Sequence, residues 1–322
     1  TTDSLGVNDG NGMLVKFGVT GPVGGGFGGS VWDRQVPPTT AYSYGGRETI
    51  NALATVDEAG STVIYMTGAG QNSQVNSNRF FLSKSRFDGT HLWTVTDSTA
   101  GNSGGNAFSS GNAVTILNGS IYVAGRTDDS GAPRALVRKY NSSGQQVWSM
   151  ESSVGQFNGI TAYGGSIYLV GRSSIVSTTS NFLIEKRDQS GQLIWSATFD
   201  RNNSEDILNA VVGLGNRIYS VGSTRGFTAG GKDAIVLEIN PETGSLISST
   251  LFGGTADDEA TSVSTDGVDL YLAGETRSFG AGGSDMMLLR FKPVQPAQPP
   301  VITTATLPFA EVNKNYSVLL NA

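Results

Sequence analysis

Five short apolar runs each carry a tyrosine and end in glycine: VIYMTG (63–68), IYVAG (121–125), IYLVG (167–171), IYSVG (218–222) and LYLAG (270–274). Their tyrosines, Tyr65, Tyr122, Tyr168, Tyr219 and Tyr271, stand 57, 46, 51 and 52 residues apart. A tight-turn signal precedes each run, at Glu58-Ala59-Gly60, Asn118-Gly119, Gly164-Gly165, Gly215-Asn216 and Asp266-Gly267. Ahead of that turn lies another strand-like run, such as NAVTIL (112–117) or NAVVGL (209–214). Two such runs around a two-residue Asn/Gly turn read as a β-hairpin.

Working outward, a second hairpin follows in each unit. Its first strand is FFLSKSR (80–86), ALVRKY (135–140), FLIEKR (182–187), AIVLEI (234–239) or MMLLRF (286–291). Its last strand carries Trp93, Trp148 or Trp195, with Ser248 at the same place in the fourth unit. With the strands lettered A to D in chain order, B is almost wholly apolar, as in a strand covered on both faces. C carries a charge near its end, toward a rim. No 3.6-residue period runs anywhere. Four antiparallel strands repeating at this interval predict an all-β fold, a β-propeller of four-stranded antiparallel blades.

The segment TDSLGVNDGNGMLVKF (2–17) aligns with TRSFGAGGSDMMLLRF (276–291), so the chain starts in a B–C loop and supplies strands C and D, with Trp32 in the D position. The last unit has A, B and C but no D. Residues 13–36 are therefore expected to join 258–292, giving six blades, with seven in a longer parent as the alternative. The propeller spans 1–292; PVQPAQPP closes it as a Pro-rich, semi-rigid linker (293–300). Residues 301–322 read as two strands around a turn, too few to bury a core.

Composition narrows the function. Gly is 44 of 322 residues and hydrophobic residues are 38%, which suits many short strands joined by tight turns. A net charge of −6 argues against nucleic-acid binding, which needs a basic face. No run approaches the ~18 apolar residues of a membrane span. TTDSLGVNDG lacks the regions of a signal peptide. With no Cys, disulfides, thiolate nucleophiles and Cys-ligated zinc are excluded. A single histidine, His91, removes most metal-hydrolase and Ser-His schemes.

The stretch FGGTADDEATSVSTDGVDLYLAGETRSFGAGGSDMMLLRF (252–291) resembles the bacterial SBBP-type β-propeller repeat, and STRGFTAGGKDAIVLEI (223–239) resembles its second half. The tail LPFAEVNKNYSVLLNA (307–322) is similar to the opening of the cadherin-like, Ig-like repeats of large bacterial surface proteins. The resemblance implies a secreted or cell-surface bacterial protein with further domains, acting in attachment or scaffolding. It brings no catalytic residue.

The A–B and C–D turns are short, whereas the B–C and D–A connections are long and varied, among them 69–79, 96–106, 126–134 and 172–181. In a propeller these two loop sets share one side, and long loops on a rigid scaffold are the usual place for recognition. Candidate binding residues are Arg126, Asp128, Asp129, Arg172, Arg225 and Arg277, facing a protein or glycan on a surface. Asp257, Asp258 and Glu259, with Glu205 and Asp206, sit at equivalent A-strand entrances. Hard oxygen ligands there could hold Ca²⁺, or could instead accept neighbouring N–H groups. An enzyme needs a nucleophile–base pair or two poised carboxylates. The expectation is accordingly a non-enzymatic interaction module; a glycan-active hydrolase or lyase and a structural spacer are the alternatives.

Overall fold

The computed structural model describes residues 13–17, 30–35, 48–72, 77–97, 108–128, 133–152, 155–175, 179–226, 230–280 and 282–293. Of 13–17, 30–35, 48, 71, 72 and 77 it describes the backbone alone. Blade 1 is β3 (Glu48–Glu58), β4 (Ser61–Asn72), β5 (Ser77–Arg86) and β6 (His91–Thr96). Blade 2 is β7 (Ser109–Leu117), β8 (Ser120–Thr127), β9 (Arg134–Tyr140) and β10 (Gln146–Glu151). Blade 3 is β11 (Gln156–Tyr163), β12 (Ser166–Arg172), β13 (Phe182–Arg187) and β14 (Leu193–Phe199). Blade 4 is β15 (Asp206–Leu214), β16 (Arg217–Thr224), β17 (Asp233–Ile239) and β18 (Leu246–Phe252). Blade 5 is β19 (Asp258–Thr265), β20 (Leu270–Thr276) and β21 (Asp285–Phe291). All pairings between these strands are antiparallel, and the strand ending in Gly125-Arg126-Thr127 pairs with both β7 and β9, as the hairpin reading requires.

The all-β propeller stands, but the expectation of six or seven blades is corrected to five. Residues 13–36 supply β1 (Met13–Phe17) and β2 (Ser30–Gln35), which pair with each other in a separate two-stranded sheet and not with β21. The register gives the reason. Lys16 stands opposite Trp32 as Lys84 does opposite Trp93 and Lys186 opposite Trp195, so β1 is itself a C-type strand. It duplicates β21, and it already occupies one edge of β2, the strand that would have completed blade 5. The connection 69–79 also differs from its reading as a loop, since β4 continues to Asn72 and β5 begins at Ser77.

The core lies between blades. Val63, Tyr65, Phe80 and Leu82 of blade 1 pack on Val114, Ile121 and Val123 of blade 2, and equivalent clusters join 2 to 3, 3 to 4 and 4 to 5. Burying one such aromatic or aliphatic side chain contributes about 1.5–3 kcal/mol. Tyr65, Tyr122, Tyr168 and Tyr219 are buried; Tyr271, in the last blade, is only half-buried, with its hydroxyl on Asp266.

Around these tyrosines the turn side of the molecule is latched. Tyr122 Oη, Lys139 Nζ and Trp148 Nε1 all donate to the carbonyl of Gln189, in the C–D turn of blade 3, at 3.4, 3.0 and 3.3 Å. Tyr168, Lys186 and Trp195 do the same to Pro241 O in blade 4, at 3.4, 2.9 and 3.1 Å. In both trios the indole lies 5.9–6.0 Å from the phenol and the ammonium 5.3–5.6 Å from its ring, within cation–π range. The turn glycines make room. Gly191 (φ +89) and Gly244 (φ +72) lie against Trp148 and Trp195, where a Cβ would meet the indole at 3.1 and 2.6 Å. Blade 1 grips blade 2 through Lys84 Nζ on Ser142 O (3.1 Å) and Trp93 on Gly144.

A second series, on the A strands, uses asparagine. Each A strand carries a bulge, and Asn51, Asn112, Asn158 and Asn209 are the residues left out of register in blades 1 to 4. Their Nδ2 atoms donate to Gly111 O, Phe157 O, Leu208 O and Ala260 O of the following blade at 2.8–3.0 Å. Bulges re-aim a side chain out of the ladder, which is what this bond needs.

Candidate functional site

Among the described residues, ends of the B–C and D–A connections of blades 3 to 5 lie together. Arg225 N–H donates to Glu205 O and Arg277 N–H to Asp257 O, tying each B-strand end to the A-strand entrance of its own blade. Ser180, between B and C of blade 3, exchanges backbone bonds with Ser204 and Asp206 at the entrance of blade 4. Asp258 N–H reaches Lys232 O in the same way between blades 4 and 5.

On this scaffold a belt of charge crosses three blades. Arg172, at the end of β12, reaches Glu205 at 3.8 Å; Glu205 lies 3.5 Å from Arg225; Arg225 lies 3.3 Å from Asp257. Asp257 also accepts the Lys232 N–H at 2.8 Å, and the Lys232 ammonium pairs with Glu259, which accepts from Asn209 as well. The side chains of Arg225, Glu205 and Asp257 are 44, 35 and 31% exposed, so the belt faces solvent. The Arg172 Nε is buried without a hydrogen-bond partner. Burial, with the like charge of Arg126 nearby, lowers the Arg172 pKa against the opposing pull of Glu205.

Of the expected binding residues, Arg172 and Arg225 come together in the belt. Arg126 instead forms a two-pronged pair with Asp128 (2.8 and 2.7 Å), its guanidinium stacked 4.4 Å from Phe108. Arg277 enters through its backbone N–H. Asp129 lies outside the described residues. Sequence reading missed Lys232 and Asn209. Asn209 had a signal, since Asn112, Asn158 and Asn209 each stand ten residues before the B-strand tyrosine.

The expected metal ligands are dispersed among other partners. Asp206 is buried and accepts from Thr224 Oγ1, Ser204 Oγ and Arg201 N–H; burial raises its pKa despite those bonds. Asp258, its counterpart in blade 5, accepts from Thr276, Ser278 and Gly254; burial pushes its pKa up, but the Ser278, Thr276 and Gly254 bonds prevail and lower it. Asp257 is held low by the Lys232 N–H, burial opposing and the Arg225 charge helping. Among the described residues no group of three or more His, Asp or Glu side chains could hold a metal ion. No helix among them is long and apolar enough to cross a membrane.

No family model matches the chain. No curated protein matches it. Solved structures do. The Hadza microbial sialidase Hz136 is 12% identical, with a TM-score of 0.50 over 82% of this chain and 57% of its own. A subtype N10 neuraminidase-like protein of A/little yellow-shouldered bat/Guatemala gives 8% identity and 0.45, over 76% of this chain and 79% of its own. The β-1,2-mannobiose phosphorylase of Listeria innocua gives 7% and 0.43, over 76% and 90%. The expectation of a non-enzyme is corrected here, because the β-propeller fold, which the chain shares with a sialidase, gives no ground for excluding catalysis. What the chain shares with them, at such identities, is the β-propeller fold.

Proposed function

We propose that the chain is a glycan-recognising propeller of a secreted or cell-surface bacterial protein, working through the face where the B–C and D–A loops meet. The observation that carries this reading is the solvent-facing belt Arg172–Glu205–Arg225–Asp257. Exposed ion pairs stabilise a fold by only about 0–1 kcal/mol each, so stability does not account for such a run. Arginine forks donate in a plane to sugar hydroxyls or a sugar carboxylate, and the intervening carboxylates accept from hydroxyls. A belt of alternating donors and acceptors suits a polyhydroxylated ligand better than an apolar one. The sialidase and phosphorylase neighbours support a carbohydrate as the ligand class.

The test is titration calorimetry of the full chain with a panel of neutral and carboxylated oligosaccharides, each incubation then analysed for cleavage products. Saturable binding to at least one glycan, weakened by Arg225→Ala, is the expected result. Release of shorter sugars would make the module catalytic at the same face. Absence of binding across the panel would remove the glycan reading.

A further inference from the structure

The outer edge of blade 5 differs from every other edge in the propeller. β5, β9, β13 and β17 each pair with a fourth strand, whereas β21 pairs among the described residues with β20 alone. Registers place Met286 where blade 4 has Ala234, and Leu288 where it has Val236. Ala234 and Val236 are buried against blade 5; Met286 and Leu288 are 97 and 76% exposed. Beside the same edge an apolar groove of about 170 Å³ opens between Leu251 and Phe252 of β18 and Leu289 and Phe291 of β21. Unpaired N–H and C=O groups next to bare apolar side chains are a template for another strand.

We propose that the edge of β21 left unpaired among the described residues takes up an extended strand from a partner polypeptide by β-augmentation. The four complete blades, with which this edge is continuous in fold, already define what fits. Their D strands run antiparallel to C, and set Trp93, Trp148, Trp195 or Ser248 opposite Lys84, Lys139, Lys186 or Glu238. The partner strand therefore presents an aromatic or hydroxyl side chain opposite Arg290, and apolar residues paired beside Met286 and Leu288 on the face that points away from blade 4, as Phe252 and Thr250 pair with Ala234 and Val236. Backbone bonds to β21 supply affinity and the groove supplies selectivity.

The test uses the full chain and a fluorescent peptide carrying LIWSATF, the sequence of β14, flanked by lysines for solubility. Anisotropy should show saturable binding. It should weaken at least tenfold with the double substitution Met286→Lys and Leu288→Lys, and with a peptide in which the central serine is proline. Both protein positions are solvent-exposed, so a melting curve close to the parent's should accompany the loss. Failure of the full chain to bind the peptide would overturn the proposal. So would binding indifferent to the lysines and to the proline. A concentration-dependent dimer abolished by the same lysines would assign the edge to a second copy and overturn it as well.

Discussion

The two sides of the propeller use their polar groups in opposite ways. On the turn side, the ammonium and indole N–H of a blade converge on one carbonyl of the next, and glycines with positive φ let the rings close on the turn. These donors are consumed by the fold. On the loop side the arginines and carboxylates pair at 3.3–3.8 Å and stay between a quarter and half exposed. Their hydrogen-bonding capacity is only partly used. The difference teaches where to look for each property: stability in the latches, and the proposed recognition in the belt.

The largest expected effect lies in the latches. Trp148→Ala removes an indole that packs on Tyr122 and Gly191, and should cost about 3–5 kcal/mol by denaturant unfolding. Tyr271→Ala, in the blade that no described turn follows, should cost well under half of that. Equal losses would erase the distinction between latched and unlatched interfaces. A smaller effect is expected at the turn glycines. Gly191→Ala meets both the left-handed backbone and the Trp148 ring, for on the order of 2–3 kcal/mol, whereas Gly282→Ala (φ +97) meets open space and should cost about 1 kcal/mol. Similar values for the two would show that the ring contact is slack.

A subtler contrast separates two equivalent acids on the loop side. The folded pKa of Asp258 is lowered, so its ionised form supports the fold above the ordinary carboxylate pKa, and that support is lost as pH falls through the depressed value. Asp206 has a raised pKa; its ionisation opposes the fold at neutral pH, and the opposition fades as pH falls through the raised value. Asp258→Asn should therefore lower Tm at pH 7 more than Asp206→Asn does, with the gap closing near pH 3. The smallest expected effect concerns calcium. Each of the five candidate carboxylates already has N–H, hydroxyl or cationic partners, so EDTA should leave Tm within a degree or so. A larger drop, abolished by Asp257→Asn, would establish calcium among them.

Much of this was legible in the residues. The Tyr–Gly period and Asn-Gly turns give the blades and their strand pairing, because strand B must be apolar on both faces and the turns must tolerate positive φ. The recurring tryptophans fall, as their alignment implies, at one register position of the last strand in blades 1 to 3. Blade count was not legible, since the likeness of MLVKF to MMLLRF shows a shared strand type and cannot show which edge that strand occupies. For the site, Arg172 and Arg225 were found from their place after strand B. Their linkage through Glu205 was not, because ion-pair partners depend on how far the D–A loop of one blade leans over the B–C loop of another. The acids looked like ligands in sequence for the same reason: Thr224, Ser204, Thr276 and Ser278, which occupy them, are ordinary loop hydroxyls until the strands are paired.

The most direct test sets one variant from each side against the same two readouts, glycan binding by calorimetry and Tm. Arg172→Ala with Arg225→Ala removes the belt's cations; Lys139→Met removes one latch donor while keeping the length of the chain. The account predicts that the arginine variant loses at least about tenfold in glycan affinity with a Tm near the parent's, since each charged hydrogen bond contributes about 1.5–3 kcal/mol. It predicts that Lys139→Met lowers Tm and leaves affinity unchanged. Glycan binding that survives loss of both arginines, or falls equally in the lysine variant, would contradict it.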